Sequence, residues 1–200
     1  MNVMSPEPSR AMEIFFEIHS GLRREGPGGD MAAVPAKAGL FNLLWSEGAA
    51  YIVGIEKALR AWRLLLEPRG WLAFTEAVWL KPDPPEPVLK NWEEYPEIAT
   101  VGENLERIAR GGFKTAGHFT LPESAWWADY YGPLEKRLAA LREKYRDDGE
   151  ALGIIALNQN EIDVFRAYPG YYGYEFFVCR LGDRSATENP FRQAESTDLT

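Results

Sequence analysis

The sequence predicts an α/β fold, with a short mixed sheet and flanking helices. Three observations carry this. Residues 40–45 (L-F-N-L-L-W) are a short apolar run closed by Ser46-Glu47-Gly48, which suits a buried strand. Beyond it, Ile55, Ala58, Leu59, Trp62, Leu65 and Leu66 recur at spacings of three and four, the signature of one helical face. Pro68-Arg69-Gly70 then stops the helix, and residues 71–78 form a second apolar run. Strand, helix and strand over this length make one right-handed βαβ unit with parallel strands. Ligands of such sheets bind outside the carboxyl ends of the strands. Those ends are Ser46-Glu47-Gly48 and the stretch from Glu76 to Trp79.

The other elements follow in chain order. Residues 1–10 make a loose start. Residues 11–22 suit a helix, with Met12, Phe15, Phe16 and His19 along one side. The breaker run 23–29 (R-R-E-G-P-G-G) is a loop, and residues 30–40 connect it to the first strand. The proline-rich stretch 81–87 reads as extended loop. Thr100 and Glu103 form a capping box for a helix that ends at Gly111-Gly112. Residues 113–121 are a third, more polar strand. Pro122 opens a helix to about Arg146, and another covers roughly 148–168, before Pro169-Gly170. Aromatic and β-branched residues mark a last strand over 171–180. The expectation is one domain over 1–180 and a polar, mobile tail over 181–200.

Composition narrows the function classes. The chain has 200 residues, 13% aromatic content and a net charge of -8. That suits a globular protein with a sizeable core. An acidic chain without a basic stripe is a poor partner for nucleic acid or an anionic membrane surface. Cys179 is the single cysteine, so an intrachain disulfide and a cysteine zinc cluster are excluded. Together with the lack of a long apolar span, this points to a cytoplasmic protein.

Several runs together carry a resemblance. They are F-N-L-L-W-S-E-G-A-A-Y, W-R-L-L-L-E-P-R-G, W-L-A-F-T-E-A-V-W-L, W-E-E-Y-P, H-F-T-L-P-E-S-A-W-W, Y-Y-G-P-L-E-K-R-L and Y-Y-G-Y-E-F-F, after an opening F-F-E-I-H-S-G-L-R-R-E-G-P-G. In this order and spacing the chain resembles the class I S-adenosylmethionine-dependent methyltransferases, in the branch similar to the ubiquinone/menaquinone-biosynthesis type. The resemblance implies a Rossmann-like fold, S-adenosylmethionine as cofactor and a small-molecule methyl acceptor.

One part of the family pattern is missing. No G-x-G-x-G follows an apolar strand. Gly28 looks like the end of the family's opening segment, and Gly29-Asp30-Met31 like the stretch just after its third strand. On the order of 60 or more residues would separate them in the family, about two βαβ units. The resemblance therefore implies a partial fold with family strand order 4-5-7-6. The run 40–45 then lies at an edge, and a helical insertion precedes the last strand.

The resemblance also assigns candidate residues. Asp30, Met31, Ser46, Glu47 and Gly48 would face the cofactor. Glu76, Trp79, Trp126, Tyr130 and Tyr131 would line the acceptor pocket. From the residues themselves, His118 could act as a base or be structural, Glu76 could be a merely solvated carboxylate, and Cys179 reads as a small buried hydrophobe. No residue is assigned as catalytic. Two functions remain open: methyl transfer to a small molecule, impaired by the missing cofactor loop, and a non-catalytic dimerising or partner-binding remnant. An apolar strand left at an edge is a template for pairing, so either a homodimer forms through residues 40–45, the expectation taken here, or residues 11–22 cover that edge.

Overall fold

In the computed structural model, the residues described are Ile14, Glu17, Ile18, Met31 and 33–182. The βαβ unit forms as the apolar spacing dictates. Strand β1 (Phe41–Ser46) leads through helix α1 (Ile55–Leu65) to strand β2 (Leu66–Trp79), and the two strands are parallel. Helix α1 buries Ile55, Ala58, Leu59, Trp62 and Leu65. Then come α2 (Glu86–Asn91), β3 (Ala99–Thr100), α3 (Val101–Arg110) and β4 (Phe113–Thr120). The chain continues with α4 (Glu123–Trp126), a π-helical turn (Trp127–Tyr131), α5 (Gly132–Lys144), α6 (Gly149–Ala167) and β5 (Tyr172–Leu181).

The sheet order is β1-β2-β5-β4, with β3 beside β2. This is the 4-5-7-6 order expected above. Strand β4 runs antiparallel to β5, so the sheet is mixed. Phe74 stacks on Phe177, and Arg180 lies over Trp71. These contacts run in opposite order along β2 and β5, so those two strands are antiparallel as well.

The chain packs as two units. The sheet unit comprises residues 29–79, 97–120 and 174–200. Its core joins Leu72, Phe74, Val78, Phe177 and Cys179 of the strands to Leu59 and Trp62 of α1 and Ile108 of α3. Cys179 is fully buried, and desolvation pushes its thiol up to about 12. The opposite face of the sheet is apolar too. There Trp45 of β1 reaches across Ala73, its partner on β2, to Phe176 on β5, which stacks on Phe119 of β4. Leu43, Trp45, Trp71 and Phe119 are all exposed on it.

The helical unit comprises residues 1–28, 80–96 and 121–173. Its core is aromatic: Trp126 stacks on Tyr131, and Phe165 packs against both and against Tyr172. Ile14, Glu17 and Ile18 are helical. The Glu17 carboxylate accepts from Lys144 Nζ at 2.5 Å and from the Tyr145 hydroxyl at 2.6 Å. The rest of the segment expected as a helix, and all of the tail beyond Gly182, lie outside the described residues.

Four local features differ from the sequence reading. Pro68-Arg69-Gly70 lies inside β2 rather than before it. Phe41 pairs with Leu66 but Leu43 pairs with Trp71, so the intervening β2 residues bulge, with Arg69 at φ 66°. Helix α2 starts within the proline run. Pro85 caps it and Pro87 falls in its first turn, where no amide is needed. The helix expected from 122 to 146 carries the π turn, because Gly132 donates back to the Trp127 carbonyl and Pro133 has no N–H to offer. A Cβ on Gly132 would sit 2.5 Å from that carbonyl oxygen, so only glycine fits. Strand β3, two residues long, has no signal in the sequence. The capping box at Thr100 and Glu103 is present as expected.

Candidate functional site

In the sheet unit, polar side chains gather at the carboxyl ends of the parallel strands β1 and β2. Ser46 is half-buried at the end of β1. Glu47 is exposed, and its carboxylate accepts from the Trp45 indole at 2.7 Å. Gly48 has φ 52°, and its N–H donates to Thr75 Oγ1 at 2.7 Å. A Cβ there would meet the Tyr174 hydroxyl at 2.9 Å, so the phenol of β5 fills the space above this turn. Met31 packs against the core, and its carbonyl accepts from the Trp62 indole at 3.3 Å. Asp30 lies outside the described residues.

Glu76 is 1% exposed, so it is no solvated carboxylate. It shares a face of β2 with Phe74 and Val78, and its Oε1 accepts from the Ala77 amide at 3.2 Å. Trp79 is half-buried at the end of β2. Trp126 and Tyr131 are buried in the aromatic core of the helical unit, and Tyr130 is half-buried beside them. There the Tyr131 hydroxyl donates to Glu161 at 3.0 Å. Burial pushes both the Tyr131 phenol and the Glu161 carboxyl above their ordinary values.

The residues that sequence reasoning missed are on the antiparallel side of the sheet unit. Glu175 of β5 is 2% exposed. One of its oxygens lies 2.5 Å from His118 Nδ1, and the other accepts from the Thr120 hydroxyl at 2.6 Å. Thr120 is the cross-strand partner of Glu175, and His118 that of Phe177. Glu76 lies two residues beyond Phe74 on β2, and Glu175 two residues before Phe177, the ring on which Phe74 stacks. The alternation His118-x-Thr120 on one strand was the available signal. Its partner Glu175 was hidden in a segment that reads as aromatic strand.

A separate cleft of about 350 Å³ opens in the sheet unit at the start of α1, lined by Gly54, Glu56, Lys57, Arg60, Glu97 and Arg107 among others. Its charges largely answer one another. Arg107 donates to the Glu97 carbonyl at 2.9 Å, and Arg110 beside Glu56 holds that exposed carboxyl below its usual value.

No protein-family model and no curated protein matches the sequence. Solved structures do match the fold. A methyltransferase from Geobacter sulfurreducens, solved with S-adenosyl-L-homocysteine, has a TM-score of 0.65 at 19% identity, over 79% of this chain and 64% of that one. For one from Thiobacillus denitrificans, with the same ligand, the TM-score is 0.63 at 19% identity, over 79% and 64%. The [4+2]-cyclase SpnF has a TM-score of 0.61 at 18% identity, over 79% and 56%. The chain has a partial class I methyltransferase fold. It spans 56% to 64% of the length of these solved chains. That a cyclase shares the fold shows that the fold alone does not fix the reaction. Among the described residues, no helix is long and apolar enough to cross a membrane, and no group of His, Cys, Asp or Glu could hold a metal ion.

Proposed function

We propose that this chain is a methyltransferase by descent, of the ubiquinone/menaquinone-biosynthesis-like branch. It acts on a small molecule and is impaired by loss of the glycine-rich cofactor loop. The observation that carries this reading is the strand order β1-β2-β5-β4 ending at β1, in a chain matched by longer methyltransferases. The implied cofactor is S-adenosylmethionine, which supplies an electrophilic methyl group when bound. Ser46, Glu47 and Gly48 offer part of its surroundings. Taken alone they do not make its shell. The Gly48 amide is spent on Thr75, Tyr174 fills the space above it, and Glu47 is engaged by Trp45. Affinity needs a preorganised shell, so binding by one isolated chain is weak. A thermal-shift titration with S-adenosylmethionine and S-adenosylhomocysteine tests this. No shift at millimolar ligand supports impairment, and a shift of several degrees refutes it.

A second reading rests on its own observation. Strand β1 has no charge and no proline, yet Leu43 is 47% and Trp45 59% exposed. Such an edge invites pairing, and a homodimer through residues 40–45 follows, with the protein serving as a non-catalytic dimerising module. Sedimentation velocity over a wide concentration range tests it, and a strict monomer throughout would exclude it. The buried thiol and acidic charge suit the reducing cytoplasm, where a cell fractionation should place the protein.

A further inference from the structure

We infer that the exposed aromatic face of the sheet unit is a docking surface for an amphipathic α-helix presented by another polypeptide. The helix lies along the strands, with its carboxyl end toward Arg180. This goes beyond the reading above and does not rest on it, because neither methyl transfer nor cofactor binding plays a part.

Strand register builds the face. Leu43 pairs with Trp71, and Phe119 with Phe176, so each pair shares one side of the sheet. The Trp45 ring lies 5.3 Å from Phe176, and Phe176 lies 5.2 Å from Phe119. This aromatic ridge crosses the sheet from β1 to β4. Beside it the floor is low. A Cβ on Gly117 would meet no atom within 4 Å, which leaves room for an approaching element. Leu43, Trp45, Trp71 and Phe119 are 47%, 59%, 40% and 54% exposed. The three half-exposed aromatic rings alone offer roughly 300 Å² of apolar surface. Contiguous apolar patches of that order are commonly interaction sites.

The chemistry of the occupant follows from what surrounds the patch. Parallel strands are normally covered by helices on both faces. On one face of β1 and β2, Leu59 of α1 and Ile108 of α3 do this. The charges on the other face are polarised along the strands. Glu47 follows the carboxyl end of β1 and accepts from the Trp45 indole at 2.7 Å. At the opposite end Arg180 lies over Trp71, 5.6 Å from the ring centroid, and Lys114 is its cross-strand partner. A helix has a positive amino end and a negative carboxyl end. Laid antiparallel to β1, it sets its amino end against Glu47 and its carboxyl end against Arg180 and Lys114. The 6 residues of β1 span roughly 20 Å, the length of about 13 helical residues.

Two other occupants fit less well. Pairing of two copies through residues 40–45 extends the sheet sideways, and a strand added at an edge covers neither face. The chain's own amino-terminal segment is engaged elsewhere, because Glu17 accepts from Lys144 and Tyr145 within the helical unit. A helix of another chain, with an apolar stripe and an acidic last turn, matches the patch, its length and its two charged ends.

The test uses two stapled helical peptides of about 14 residues, with leucines at spacings of three and four. One carries glutamates in its last turn, and the other carries lysines there. Each is labelled and titrated with the full chain by fluorescence anisotropy, at a concentration where the chain is monomeric. Binding should saturate, with the glutamate peptide tighter by about threefold. Trp45→Lys and Phe119→Lys should each weaken it by roughly thirtyfold. Both side chains are exposed, so the variants should keep the circular dichroism of the parent chain. Leu157→Lys, at an exposed leucine of the helical unit, should leave binding unchanged. Arg180→Glu should exchange the order of the two peptides. No saturable binding at millimolar peptide, or equal losses at Leu157 and Trp45, would overturn the proposal. A dimer that Phe119→Lys dissociates, while neither peptide binds, would overturn it in favour of a second copy on this face. None of these results bears on cofactor binding or on edge pairing, which the titration and sedimentation above decide separately.

Discussion

The two ends of the sheet are edges of different kinds. At one end β4 is a strand made for an edge. It carries Lys114, its register breaks between Thr115 and Gly117, and its residues beyond Phe113 are exposed and mostly polar. Lysines and bulges are what natural sheets use to blunt an edge. At the other end β1 has neither device. Among the described residues it pairs with β2 alone, in parallel, and parallel strands are normally covered on both faces. Its sequence is that of an interior strand, and the exposed Leu43 and Trp45 are the consequence. One end of this sheet carries the devices of an edge and the other does not, and a short apolar sequence cannot reveal which position it will occupy.

The contrast can be broken at several points. The largest effect belongs to the strand between the ends. Phe177 is fully buried and stacks on Phe74. Phe177→Ala should cost about 3–5 kcal/mol in chemical denaturation, whereas Trp45→Ala should cost far less because its ring is already exposed. Equal losses would mean that β1 is packed as an interior strand after all.

Association comes next. Trp45→Lys gives β1 the charge that β4 already has in Lys114. It should weaken self-association by about 2 kcal/mol, as loss of a central aromatic anchor does, read by sedimentation. A charge reversal at Lys114 should leave association unchanged. If both variants behave alike, the two edges do not differ.

A smaller effect is expected at the turn that ends β1. Gly48→Ala must hold φ near 52° against the Tyr174 hydroxyl, a strain of about 1–2 kcal/mol in thermal or chemical unfolding. Pairing the change with Tyr174→Phe should return part of it, which separates crowding from backbone strain.

The smallest effect lies in the helical unit and serves as a control for the sheet. Burial raises the Glu161 carboxyl above its ordinary value. Its neutral form is therefore favoured by folding. That contribution is complete below the unfolded value and is lost as pH rises through the folded one. Glu161→Gln keeps an acceptor for Tyr131 and removes this loss. It should raise the melting temperature by roughly 2–4 °C at neutral pH, and by less in acid. The reverse pH trend would contradict the assigned cause.

Legibility followed locality. The βαβ unit and the Thr100 capping box were readable because spacing and caps act within a few residues. Helix α2 hid behind prolines that also fit an extended loop, and the bulge at Pro68-Arg69-Gly70 arises only when β1 imposes its register on β2. The site divides in the same way. The strand ends at Ser46-Glu47-Gly48 and Glu76 could be placed from the strand pattern alone. The pairing of His118 with Glu175 could not, because it depends on a register across two strands some sixty residues apart.

The most direct test of the contrast is amide hydrogen exchange at residues 41–46 and 113–120, at low and high protein concentration. In a parallel strand alternate amides point away from the existing neighbour, so half of those in β1 face away from β2. The account predicts that β1 protection rises with concentration while β4 stays constant. Rapid exchange of β1 at both concentrations, in a protein that remains monomeric, would contradict it.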